Sequence, residues 1–261
     1  QSRSATLEGE AQRLRARNTL AAITEKALPE SGEAETLSQT LRLGAGPRPT
    51  AVQQNVPAWL VFGMFFVIAT IAGLFVEERR CGALARLTSL GVSPGVLIAA
   101  KVLPYLVVNA VQAVLMLGVG VWVMPLLGAD GLQLTGIAWG ALLLVLFCTS
   151  LAAIGFALLI ATLVRSHAQA TALAPIANVL MAAIGGVMVP TFVMPQAMQM
   201  LAQASPHNWA LEGLLSVLLR GSGYAAVMPM CLRLLAFAAL TLLAATYLFR
   251  RILCSPSTSM N

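Results

Sequence analysis

Polar residues along most of this chain are punctuation between long apolar runs. Five runs have the length and the lack of charge of helices that cross a bilayer: about 57–76, 102–127, within 136–164, roughly 168–189 and about 225–249. The first is stopped by Glu77-Glu78-Arg79-Arg80, the second by the turn Gly128-Ala129-Asp130-Gly131, the third by Arg165-Ser166-His167 and the fifth by Arg250-Arg251. The third is long for one crossing, so it is expected to tilt or to begin later. Ahead of the first run, Leu7, Ala11 and Leu14 repeat at helical spacing over about 5–28 and Pro29 ends the pattern, as in a solvated amphipathic helix. Pro47 and Pro49 mark the linker to the first span.

Composition turns this pattern into a class. The chain has 261 residues, 58% hydrophobic and 10% charged, with a mean hydropathy of +0.82, against roughly 25% charged in a soluble domain. No Asp, Glu, Lys or Arg occurs between Lys101 and Asp130, between Asp130 and Arg165, or between Arg165 and Glu212. A water-soluble globule is excluded, and a polytopic membrane protein is expected. The pI near 9.7 does not point to nucleic acid, because the basic residues form no stripe interleaved with aromatics. They follow sidedness instead. Arg79, Arg80, Arg86, Lys101, Arg165, Arg250 and Arg251 follow the odd-numbered spans, while the loops after the second and fourth hold only Arg220. Seven against one places the first set in the cytoplasm. Residues 1–50 are then extracytoplasmic, 51–254 form the membrane domain, and 255–261 are a cytoplasmic tail. Five spans with an outside start imply a sixth helix upstream. Cys81, Cys148, Cys231 and Cys254 are scattered, with no CxxC spacing for a disulfide framework or zinc, and no metal site is expected.

The most informative stretch is EERRCGALARLTSLGVSPGVLIAAKVLP, residues 77–104. It opens with charges, continues as a short amphipathic helix, breaks at Gly91 and Pro94, and re-enters the apolar phase past Lys101 and Pro104. Helical spacing gathers Leu84, Leu87 and Leu90 on one face, away from Arg79, Arg80 and Arg86. Such a helix lies along the interface and offers its polar side to a soluble partner. On these residues alone, a simple positive-inside anchor is an equal reading.

In this loop the chain resembles the transmembrane subunits of ABC-2 type transporters. Their first cytoplasmic loop is matched by Glu78, Arg79, Gly82, Leu84, Leu87, Val92-Ser93-Pro94, Lys101 and Pro104, with departures at Arg80, Ala83 and Ala85. A second stretch, GGVMVPTFVMPQAMQMLAQASPHNWALEGLLSVLLRG over 185–221, is similar to the family's external hairpin at Gly186, Pro190, Met194, Pro195, Pro206, Trp209, Glu212 and Gly221. The resemblance covers about 57–253. It implies an all-α exporter domain of six spans, five of them present here, with a re-entrant external hairpin. It also implies an ATPase-coupling loop made of Glu78, Arg79, Gly82, Leu84, Arg86, Leu87, Pro94 and Lys101. The implied partners are a cytoplasmic ATP-binding subunit, which would hold ATP and Mg, and a second permease subunit, identical or different. The fourth run, rich in Ala and Gly, is a candidate for the dimer seam or for packing inside the subunit.

The remaining chemistry is sparse. No GxxxxGK[ST] occurs, so nucleotide hydrolysis is expected in a partner, not in this chain. No Asp or Glu lies within the spans, which argues against an ion-coupled carrier. Arg233, some eight residues into the fifth run, is the one deep charge. It is expected either to line a cavity for an anionic group or to snorkel outward. His167 and His207 fall on opposite sides of the bilayer and cannot form one site. His207 reads as an interfacial polar residue beside Trp209. The expectation is an exporter permease of the cytoplasmic membrane for a hydrophobic or amphiphilic cargo, drug or lipid-like, surrounded by membrane lipid. An ion-coupled transporter or a non-transporting scaffold is the alternative.

Overall fold

The computed structural model describes residues 50–254; the segment 1–49, with its expected external helix, and the tail 255–261 lie outside the described residues. All regular structure among the described residues is helical, and five helices are long and apolar enough to cross a membrane. The first crossing is a broken rod of α1 (Ala51–Phe65) and α2 (Val67–Arg80). Thr50 and Gln53 close a reciprocal capping box at its start. After the short α3 (Ala83–Ser89), the second crossing is α4 (Pro94–Gly118), continued by a π turn at Val119–Val123 and a helical turn at Met124–Leu126. Then come α5 (Trp139–Leu163), α6 (His167–Ile184), a 3-10 turn at Thr191–Val193, α7 (Gln196–Ala202), α8 (Pro206–Leu218) and α9 (Tyr224–Cys254).

Two boundaries differ from those read along the sequence in an informative way. The second crossing begins at Pro94, eight residues before 102, because Pro94 occupies the first helical turn and the Ser93 hydroxyl caps it by accepting from Val96 N. A proline there starts a helix as readily as it breaks one. The fourth crossing ends at Ile184 and not near 189, at a left-handed Gly186 with φ +87°, and Val187 N donates back to Ala182 O. The prolines at 190 and 195 come after this stop and start the next two turns. The third run does begin later, at Trp139.

The core is organised around α5, which is buried along its length by Ala141, Val145, Ala152, Ile154, Ala157, Leu158 and Ala161. Small residues let its backbone approach α9 closely, the most extensive helix pair in the molecule. Cys148 of α5 and Cys231 of α9, both buried and free, meet across this seam. By contrast, α4 is loosely attached and presents Leu103, Val107, Val111, Val114 and Leu115 outward. The basic span ends converge. Arg79 reaches Val164 O, Lys101 reaches Glu78, and Phe75 meets Phe249 with ring centroids 5.2 Å apart.

Candidate functional site

The loop between the first two crossings is a small helix held by its own charges. Gly82, at φ +72°, makes the reversal from α2 into α3, a conformation that a residue with a Cβ adopts only under strain. Lys101 Nζ then bridges from α4 to both Glu78 oxygens at 2.6 Å, and it also lies 6.0 Å from the Phe75 ring. Arg79 stacks over the same ring at 5.1 Å and donates from Nη1 to Val164 O at 3.2 Å, the last carbonyl before the α5–α6 turn. Three of the residues expected to face a partner are therefore engaged within the chain, Glu78 with Lys101 and Arg79 with Phe75 and Val164. The residues left outward are Arg80, Arg86, Leu87 and Leu90, the last 78% exposed. Leu84, on the same helical face by spacing, turns into the core and anchors α3. A cavity of about 360 Å³ beneath α3 is lined by Leu84, Leu87, Leu97, Lys101 and Tyr105.

The second predicted site is a compact re-entrant hairpin. Pro190, Pro195 and Pro206 each stand at the start of a helical turn, and Gly186 packs so closely that a Cβ would meet Thr191 Cγ2 at 2.7 Å. Trp209 donates from Nε1 to Gln203 O at 2.7 Å, tying α8 to the end of α7. Glu212 pairs with Arg220 at 3.2 Å on the surface, where such a pair contributes little. Although only 13 residues long, α8 is buried almost throughout.

At its first turn lies the group that sequence reasoning placed at the interface. His207 is fully buried, with its ring 4.1 Å from that of Phe65. Its Nε2 is 3.1 Å from Asn178 Oδ1, and Asn178 Nδ2 donates to Phe62 O at 3.2 Å. A carbonyl only accepts, so Asn178 must present its NH₂ to Phe62 and its oxygen to a protonated Nε2. Phe62 O is available because of the break between α1 and α2: Phe66 N donates to Gly63 O at 2.9 Å, one residue short of the helical partner. A kink in the first crossing, an amide in the fourth and an imidazole in the hairpin thus form one latch. Ser205 Oγ and Asn208 Nδ2 add bonds to Met181 O and Gly185 O at the end of α6. The signal for this cluster was an amide inside an apolar run, which needs a partner wherever it sits.

Burial pushes the His207 imidazole down to about 3, below its ordinary value near 6.5. The folded state therefore keeps it neutral while the unfolded chain takes up a proton, so stability is complete above about pH 6.5 and falls as pH falls toward 3. The melting temperature of the purified protein should drop between pH 6.5 and 5. His207→Gln, which keeps an N–H donor, should flatten that drop in the same differential-scanning measurement.

Arg233 is exposed on the outer face of α9 and lines none of the cavities described here. His167 opens α6, and the His207 imidazole meets Asn178 eleven residues along it, about 16 Å at helical rise, which keeps them separate.

A helical membrane domain with a charged loop helix and a latched re-entrant hairpin agrees with comparison to known proteins. The sequence profile described as "ABC-2 family transporter protein" matches residues 2–247. The chain belongs to the ABC-2 transporter family. It is also 28% identical over 226 residues to the linearmycin resistance permease protein LnrN of Bacillus subtilis (strain 168), a match covering 84% of this chain and 52% of that protein. The chain thus spans about half the length of that curated relative. As an ABC-2 transporter chain it is a multi-pass membrane protein, and among the described residues its loop helix and hairpin are the two connections between crossings that contain helices of their own.

Proposed function

We propose that the chain is the membrane-spanning permease part of an ATP-driven exporter in the cytoplasmic membrane, moving a hydrophobic or amphiphilic substrate outward. The observation that carries this reading is α3. It is a short helix at the basic end of the bundle, flanked by the Glu78–Lys101 pair, and it leaves Arg86, Leu87 and Leu90 exposed. An ATP-binding subunit, holding ATP and Mg, docks there, and its motion is transmitted through the Glu78–Lys101 pair to α2 and α4. The basic span ends support a cytoplasmic position for this side and an external one for residues 1–50, and a second permease subunit completes the pathway. The word "resistance" in the relative's name supports export of a toxic amphiphile.

The test is co-purification of the full-length protein from its native membrane, followed by ATP hydrolysis. An ATPase subunit should accompany the wild type, and Leu87→Asp should release it, lowering hydrolysis by an order of magnitude or more while the melting temperature of the membrane subunit stays within a few degrees. Retention of a fully active ATPase by Leu87→Asp contradicts docking on α3.

A further inference from the structure

We propose that the cleft between the broken first crossing and α4 binds an uncharged amphiphile that carries a hydrogen-bond donor, which Asn109 recognises. This rests on the export reading only where the ligand is called cargo; binding itself is tested apart from it.

The cleft has a volume of about 620 Å³, within the range of small-molecule sites. One wall is an aromatic rail: Trp59, Phe62 and Phe66 follow one another along α1 with ring centroids 5.5 and 5.6 Å apart. The other wall is α4, where Tyr105, Asn109, Gln112 and Met116 recur at helical spacing. Gly63 sits between the walls without a side chain, and the Gln112 amide overlies it. The kink at Phe66, latched by Asn178 from the opposite side, gives the rail its bend.

Two features select the ligand. Among the described residues no Asp, Glu, Lys, Arg or His lines the cleft, so an ion would enter a membrane-depth site with no opposite charge to offset its desolvation. The second feature is Asn109. It is 1% exposed, and its Nδ2 donates to Ser150 Oγ at 2.9 Å, yet its Oδ1 has no partner. Asn109 lies near the middle of the Gly95–Leu126 crossing, about 21 Å from its start at helical rise. Water is scarce at that depth, and an amide oxygen can only accept. A hydroxyl or N–H donor on an otherwise apolar molecule satisfies it, while the chain of that molecule lies along the aromatic rail. A second groove of about 540 Å³, between α4 and α5, shares Asn109 with the first; apart from Asn109 and Ser150 it is almost wholly apolar, lined by residues such as Leu106, Leu143 and Phe147. It offers an acyl chain room beside the same oxygen.

The shared chemistry has two sources, an exported cargo or a neutral lipid of the bilayer, and one experiment separates them. Full-length protein with its native partners is placed in nanodiscs and irradiated with chain-matched diazirine probes: hexadecanol, its methyl ether, hexadecanoate and hexadecyltrimethylammonium. The alcohol should label peptides containing Trp59–Phe66 and Tyr105–Met116 in a saturable way, about five-fold more tightly than the ether, since one net hydrogen bond separates them. The two ionic probes should label more weakly still. Asn109→Leu should erase the difference between alcohol and ether. Ser150→Ala breaks the same Asn109–Ser150 bond but leaves Oδ1 in place, so it should keep the difference and control for loss of packing. Competition by a diacylglycerol supports the site and names a bilayer lipid as occupant. Failure of diacylglycerol to compete, with the alcohol still saturable, supports the site and assigns it to cargo. Equal labelling by alcohol and ether, labelling that does not saturate, or equal competition by the ionic probes or by phosphatidylcholine overturns the proposal. None of these readouts depends on ATP hydrolysis, so the site and the export reading can fail separately.

Discussion

Asn178→Leu should lower the melting temperature of the purified protein by roughly 6–12 °C, the largest effect of any single amide in the molecule. The substitution keeps the number and branching of the side-chain heavy atoms, so shape alone predicts little change. What it removes is the middle of the latch: Phe62 O loses its donor and the His207 Nε2–H loses its acceptor. Each orphaned buried group costs about 1–3 kcal/mol, and roughly 3 kcal/mol in total corresponds to that shift for a domain of this size. Polar pairs between membrane helices are often weaker, averaging about 0.6 kcal/mol, because the separated helices find other partners. Here the kink leaves Phe62 O unsatisfied within its own helix, so no such substitute exists. Asn178→Asp is the informative companion, since it keeps the acceptor for His207 but replaces the donor to Phe62. It should lose most of the same stability and, unlike the leucine variant, should regain part of it at low pH, where the carboxyl is protonated and donates. A shift under about 2 °C for Asn178→Leu would show that the latch does not hold the kink.

The second large effect falls at a close approach between α5 and α9. A Cβ on Gly155 of α5 would meet Thr241 Oγ1 at 2.5 Å and Ala238 O at 3.1 Å on α9. The hydroxyl is not free to swing away, because it donates to Phe237 O at 2.8 Å and Ala238 O at 3.0 Å. Gly155→Ala must therefore part the two helices or displace Thr241, at a cost of about 1–3 kcal/mol. Gly155→Leu should abolish accumulation of folded protein in the membrane, measured by fluorescence-detected size exclusion. Thr241→Ala removes the obstructing oxygen, so Gly155→Ala with Thr241→Ala should be more stable than Gly155→Ala alone, a non-additivity expected of residues in contact. If the double variant is worse than either single one, the close approach is not where the structure puts it.

The crossings were legible because a run of twenty apolar residues has few other ways to be stable, and Gly82 and the hairpin prolines were legible because their backbone demands are local. The latch was not. His207 and Asn178 are 29 residues apart, and a histidine beside Trp209 at a span end looks the same in sequence whether it faces headgroups or the core. The loop charges were found but their direction was not. Spacing groups Leu84 with Leu87, whereas the tilt of α3 buries the first and exposes the second. Likewise Glu78, Arg79 and Lys101 read as charges for a partner, and only the approach of α4 and α5 shows them engaged within the chain. Asn109 stood in plain view as an amide in an uncharged span, but its empty oxygen is a property of where Ser150 and Gln112 fall around it.

In the proposed exporter, α3 is the place where force enters from an ATP-binding subunit. The most direct measurement is a photocrosslinking amino acid placed at Leu90, irradiated in native membranes, with the same group at Leu126 as control. Both positions are fully outward, at opposite ends of α4 and its preceding loop. Docking on α3 predicts a crosslink from position 90 to a soluble nucleotide-binding protein, changed in yield by adding ATP and Mg, and none from position 126. Lipid-only adducts at position 90, with or without nucleotide, would contradict it.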